Sequence, residues 1–386
     1  MRRIPRRLAN AVCALATAVA TGCGIGTGDS AEDPGVDVAA LQTGNYRTTP
    51  RTPEELRTPA TIDIQESLRL GEYVPLIMET SPKLVFSRVK YQKKMFTRVD
   101  PPNIVDNFST VAPGFVAGWE TIGQRREDEL HGRSVDLTVM QFTTSEHAAA
   151  AVKALADGIW HSRYPPVGTL PIPGYADAQG QARQYGAISA AAARDEFVLW
   201  TYIGGGVDIP PNQNELADLA GKVFDAQFER LQDYDPTPEN ELAELPVDRD
   251  GLLGYALPAS DGVAEAVLSA NTALHLLQRP DLTKRAFEDA QVDLVVFGET
   301  EFYRAGDDRA ADRLHAYFMT QLDSEYRTVD DPPGMPDAHC VENPDTTGSL
   351  KCLFTVGRYA AIVAGTQIQE LHQKASAQYT LLDLAP

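Results

Sequence analysis

Ser87 and Lys90 stand three apart, the Ser-x-x-Lys spacing in which a lysine activates a serine hydroxyl for acyl transfer. The Lys-Thr-Gly that accompanies it in penicillin-binding enzymes is missing, so the spacing is read as coincidence. Neither a Gly-x-Ser-x-Gly elbow nor a His-Glu-x-x-His zinc helix occurs. Asp248-Arg249-Asp250-Gly251 opens like a calcium loop but lacks the third ligand and the closing glutamate. The histidines, at 131, 147, 161, 275, 315, 339 and 372, never fall at i, i+4 on one helix. His315, beside Leu314, reads as a hydrogen-bonded core residue rather than a ligand. Gly204-Gly205-Gly206 lacks the Lys-Ser/Thr of a phosphate loop and reads as a flexible strand exit. No catalytic residue, metal ligand or cofactor is expected.

What remains for contact with a ligand is mostly aromatic. The Pro-rich loop from Tyr164 to Tyr175 is long and stiff, the kind of loop that often carries function on a rigid scaffold. Trp160, Tyr164, Tyr175, Trp200 and Tyr202 are the candidate contact residues; core packing is the competing use of such rings. A basic stretch, Lys83, Arg88, Lys90, Lys93, Lys94 and Arg98, interleaves with apolar residues. It suits an acidic ligand or headgroup, or charges turned toward solvent or the acidic body.

The cysteines carry covalent chemistry instead. Arg2, Arg3, Arg6 and Arg7 precede an apolar run from Leu8 to Ala20, then Thr21-Gly22-Cys23. This is an export signal over 1–22 ending in a lipobox, with Cys23 as the acylated first residue of the mature chain. The apolar run is shorter than the roughly 20 residues a membrane span needs, so lipid is the expected anchor. Cys13 leaves with the signal. Cys340 and Cys352 remain as a pair, and in an oxidising compartment they are expected to form a disulfide.

Charge narrows the partners. Losing the four arginines of residues 1–22 takes the formal net charge from −20 to −24. That excludes a nucleic-acid role, which needs basic surface against phosphates, and argues against adsorption to anionic headgroups.

Local patterns then supply the elements. Residues 23–60, rich in Gly, Asp, Thr and Pro, read as a tether. Thr61 opens a short helix to Gly71. Strands are expected at Phe115–Trp119, Val135–Phe142, Arg183–Ala190 and Phe197–Ile203, with helices from Thr143 to Trp160 and from Asn212 to Leu231. Residues 236–250 are rich in Pro, Asp and Glu and read as a linker between modules at 61–235 and 251–386. Beyond it, strands are expected at Gly251–Leu257, Val292–Tyr303, Lys351–Val356 and Arg358–Ala364. Helices are expected at 271–278 and 282–290, from Asp307, and after Thr366 with Gln369 as a capping box. The β-α-β-β-α order occurs twice. The fold class is therefore α+β: two repeated modules, each an antiparallel sheet with helices on one face.

Several motifs together resemble a known family. They are the lipobox, Leu41-Gln42-Thr43-Gly44-Asn45-Tyr46 with Pro50-Arg51, and Ala112-Pro113-Gly114-Phe115 with Gly118-Trp119. Near the end they are Cys352, Gly357-Arg358-Tyr359 and Ala377-Gln378-Tyr379. The chain resembles actinobacterial two-domain lipoproteins of unknown function. The resemblance implies an envelope protein with an N-terminal and a C-terminal module, and it transfers no activity. The expected role is non-enzymatic binding of a small ligand or protein partner at the outer face of the membrane. The alternatives are an assembly role without a small ligand, or an enzyme acting on wall or lipid material.

Overall fold

The computed structural model describes residues 36–88, 94–127, 132–205, 212–259, 264–322, 326–344 and 349–386. The signal segment, Cys23, Lys90, Lys93, His131 and Gly206 lie outside the described residues.

The alternating segments become two seven-stranded antiparallel sheets. The first contains β1 (Met95–Thr97), β2 (Phe115–Gln124), β3 (Arg133–Phe142), β4 (Gly168–Thr169), β5 (Gln179–Ala182), β6 (Ile188–Arg194) and β7 (Phe197–Gly205). The second contains β8 (Ala266–Ser269), β9 (Leu294–Phe297), β10 (Thr300–Arg304), β11 (Arg327–Thr328), β12 (His339–Asn343), β13 (Ser349–Val356) and β14 (Tyr359–Gly365). The helices are α1 (Pro53–Leu56), α2 (Pro59–Asp63), α3 (Gln65–Gly71), α4 (Ile77–Thr80), α5 (Phe108–Val111), α6 (Ser145–Trp160) and α7 (Gln213–Arg230) in the first half. The second half adds α8 (Ala270–Leu274), α9 (Pro280–Ala290), α10 (Asp308–Gln321) and α11 (Ile368–Asp383).

The first sheet runs β1-β2-β3-β7-β6-β5-β4 and the second, from its other edge, β8-β9-β10-β14-β13-β12-β11. The order is the same. In each half the long helix after the third strand, α6 or α10, crosses back to a hairpin whose last strand pairs with that third strand. The repeat is thus one of topology, and larger than the β-α-β-β-α unit seen in the pattern.

Helices cover both faces of the first sheet, where the pattern suggested one. Alternation sends successive residues of a strand to opposite faces. Met140, Phe142, Ala191 and Val198 pack on one face with Ala148, Val152 and Leu155 of α6. Val135, Leu137, Val139, Ala190, Ala192 and Leu199 fill the other with Leu216, Val223 and Phe224 of α7. That second cluster continues into the C-terminal half through Leu274, Phe287, Tyr303 and Leu314. Residues 37–386 are one unit around this continuous core.

Several local expectations shift. The expected tether is corrected from residue 37 onward. Leu56 is 1% exposed, Arg51 pairs with Glu265, and its amide donates to Gly254 O at 2.9 Å. Short helices with Thr52 and Thr58 as caps give this Pro-rich segment an apolar residue to bury. The 236–250 segment is likewise docked, since Glu66 accepts from the Thr237 amide at 2.9 Å and Oγ1 at 2.6 Å. Gly251–Leu257 makes a 3-10 turn at Leu253–Tyr255 rather than a strand. Val292–Tyr303 splits into the β9–β10 hairpin, and Arg183–Ala190 splits around a turn at Gln184–Gly186. The α6 cap is Thr144, one residue past the expected Thr143, and α11 has Gln367 at its N-cap without a side-chain bond. Cys340 and Cys352 lie directly opposite on β12 and β13 and are joined by a disulfide.

Candidate ligand pocket

The site follows from where α6 stops. Its apolar side covers Met140, Phe142 and Val198, and the helix ends at Trp160. The strands β2, β3 and β7 run on beyond it. Their next residues on that face are Glu120, Asp136, Thr138, Trp200 and Tyr202, with Thr138 paired to Trp200 and Asp136 to Tyr202. They floor a pocket of about 500 Å³, within the usual size range for small-molecule sites. Pro102, Asn103 and Ile104 of the β1–β2 connection form one wall; Ile159 and Ser162 form another. Phe96 and Arg183 close the ends.

Charge inside the pocket is organised in layers. Lys94, 3% exposed, sits behind Glu120 with its Nζ 3.9 Å from the carboxylate and no hydrogen-bond partner. Burial drives both toward neutrality: the lysine is pulled down and the glutamate pushed up, their mutual attraction opposing. Arg88 pairs with Asp136. The basic stretch thus turns part of its charge onto acids of the sheet.

Arg183 stands apart. Its Nη2 donates to Tyr164 O at 3.0 Å, while Nη1 is buried without a partner. Its backbone is held by a bond to Ala187 O at 2.8 Å. Burial is the main influence on this guanidinium, and among the described residues the opposing influence comes from Tyr202 rather than a carboxylate. The indole Nε1 of Trp200 is also buried and unpartnered. Two N–H donors therefore lack acceptors in a pocket wide enough to bring one. Burial also raises the Tyr202 phenol.

Of the aromatic candidates, Trp200 and Tyr202 share the pocket. Trp160 and Tyr164 are exposed, 39% and 61%, and Tyr164 reaches the site through its carbonyl. Tyr175 does not join them. It packs on Phe224 and Phe228 of α7, on the opposite face, and donates to Asp225 at 2.8 Å. The pattern missed Lys94, Glu120, Asp136 and Arg183 as one group. Inward parity on neighbouring strands is the only signal that links them. It also missed His275, which is buried against Trp119 with hydrogen bonds to Thr121 Oγ1 and Val74 O. Among the described residues no three His, Cys, Asp or Glu side chains cluster to hold a metal. His315 lies against the His339 ring instead. Among the described residues no helix is long and apolar enough to cross a membrane.

Comparison with known proteins places this geometry in a family. No curated protein matches the chain. The crystal structure of the extracellular domain of PknH from Mycobacterium tuberculosis is similar at 14% identity and a TM-score of 0.28. That match covers 47% of this chain and 100% of the other, and it carries no functional weight. Two family descriptions match almost the whole described body: Domain of unknown function (DUF7373) N-terminal over residues 53–247, and its C-terminal counterpart over 252–384. The chain therefore belongs to the DUF7373 family.

Proposed function

We propose that this protein is a lipid-anchored binding protein of the cell envelope that takes a small ligand into the N-terminal pocket without transforming it. The observation that carries the reading is the pair of buried, unpartnered donors, Arg183 Nη1 and Trp200 Nε1, lining one open pocket. A buried donor without an acceptor costs roughly 1–3 kcal/mol, which a ligand acceptor would recover. The lipobox at Cys23 supports the location. Cys23→Ser is expected to release the protein into the medium; membrane retention of that variant overturns the anchor.

Native mass spectrometry of residues 24–386, purified after export, tests the pocket. A reproducible added mass that is lost in Ser162→Trp, which blocks the rim without touching the core, is the expected result. An added mass unchanged by that substitution places the ligand elsewhere.

One observation favours a second reading, an enzyme. Glu120 is a carboxyl pushed up by burial beside a lysine, the state a general acid requires. Turnover of the bound compound, abolished in Glu120→Gln with binding retained, would establish it.

A further inference from the structure

We infer that the ligand of this pocket is an acidic sugar, a polyhydroxylated ring carrying one carboxylate. This rests on the pocket reading above and adds the ligand class.

Around the pocket Lys94 is matched by Glu120 and Arg88 by Asp136, so neither pair leaves a net charge. Among the described residues Arg183 has a carbonyl and no carboxylate. Among the described residues of the pocket one positive charge is thus left over, in a chain whose formal net charge is −20. An uncompensated guanidinium held partly out of water recruits one anion. A carboxylate accepts well from guanidinium N–H groups. A doubly charged phosphate would meet the Asp136 carboxylate in the same pocket, where like charge opposes it more than it opposes a single charge.

The rest of the lining selects what carries the carboxylate. The Asp136 carboxylate accepts hydrogen bonds, and the Glu120 carboxyl and Thr138 hydroxyl can each donate or accept, so the floor suits a ligand with several hydroxyls. Trp200 supplies both an N–H for a ring or glycosidic oxygen and a flat apolar surface. A fatty acid would leave that polar floor unpaired. A neutral sugar would accept from Arg183 but leave its charge without a counter-charge. The acidic sugar satisfies both.

Such a group comes either from a free or wall-borne glycan or from the headgroup of a glycolipid. Tyr164, Val167 and Tyr185, exposed at 61%, 65% and 95%, stand on the segments flanking Arg183. They are where a lipid portion would lie.

The test titrates residues 24–386 with D-glucuronic acid, D-glucose and acetate, followed by calorimetry and ligand-observed NMR. A parallel arm uses phosphatidylcholine vesicles with and without glucuronosyl diacylglycerol. Glucuronate is expected to bind at least about tenfold more tightly than glucose, the scale of one charge-assisted hydrogen bond. Arg183→Gln is expected to erase that preference with an unchanged thermal midpoint. Binding only to the glycolipid vesicles, lost in Arg183→Gln, supports the inference and identifies a headgroup. Equal affinity for glucose and glucuronate overturns it, as does a preference that survives Arg183→Gln, or no saturable binding in either arm. A copurified mass lost in Ser162→Trp then keeps the pocket reading and discards the acidic sugar; without that mass both fall.

Discussion

The two halves share one strand order but end in opposite ways on the same face. In each, the connection between the first two strands lies over the sheet beside the long crossover helix. In the N-terminal half that connection, residues 98–114, contributes Phe108 to the α6 core and only walls the pocket with Pro102, Asn103 and Ile104. The C-terminal connection, residues 270–293, brings α8 down onto the face. There Ala273, Leu276 and Leu277 close the space to about 20 Å³ over Glu301 and Tyr303. The same α8 turn sends His275 the other way, into the seam against Trp119 and Thr121. One copy of the repeat keeps a pocket, and the other spends the same position on joining the halves. Topology is inherited by both; occupancy is decided by one connection.

The differences can be broken one at a time. At neutral pH the largest effect is expected at the C-terminal sheet edge. Cys340–Cys352 ties β12 to β13, and the matching pair β5 and β6 has only backbone bonds and the Ser189–Gln181 contact. Cys340→Ala with Cys352→Ala should cost about 3 kcal/mol in the chain-entropy picture, measured by denaturant unfolding without reductant. A loss below roughly 1 kcal/mol would mean that sheet pairing alone holds this edge.

Next comes the plug. Leu277→Ala should cost about 2 kcal/mol and enlarge the small C-terminal cavity. An apolar dye that binds the variant and not the parent would show that the 270–293 connection is what makes the C-terminal face differ from the N-terminal one. Unchanged stability would show that the plug is dispensable.

The seam is expected to answer to pH. Burial is the main reason the His275 imidazole is lowered to about 3, below its ordinary 6.5, so the folded state holds it neutral. Between those values the unfolded chain binds the proton and the folded chain does not. Its contribution is therefore complete above about pH 6.5 and is lost as pH falls toward 3, by at most about 1.4 kcal/mol per pH unit. Unfolding free energies from pH 7 to 4 should flatten in His275→Gln relative to the parent. Parallel curves would remove the seam from the acid response.

The smallest effect contrasts two arginines. Arg304 bridges Asp250 at 2.8 Å and Asp293 at 2.7 Å, whereas Arg183 has no carboxylate partner among the described residues. Arg183→Gln should change stability by less than about 0.5 kcal/mol, within the range of substitutions that break no paired network. A large loss would make Arg183 a structural residue and weaken its place in the pocket.

Much of the fold was legible in advance. The alternation of Val135–Phe142 and Phe197–Ile203, the caps at Asn212 and Asp307, and the facing cysteines all became elements where expected. The misreadings share a cause. Residues 37–60 and 236–250 carry disorder-like composition, yet Leu56, Arg51 and Thr237 find partners far away in the chain. Composition reports what a segment can bury alone, not what a neighbour offers it. Trp200 and Tyr202 were picked for their rings and do share a site; Tyr175 has the same chemistry but the opposite face.

By itself the sequence determined the strands, the long helices, the repeat and the chemistry of each side chain, because period, capping and turn preferences act over a few residues. Only the tertiary structure decided that Lys94, Glu120, Asp136, Arg183 and Trp200 meet. It also left one face open and plugged the other. Those outcomes depend on which strands become neighbours and how far one connection reaches, and burial and electrostatic shifts are properties of that enclosure rather than of any residue.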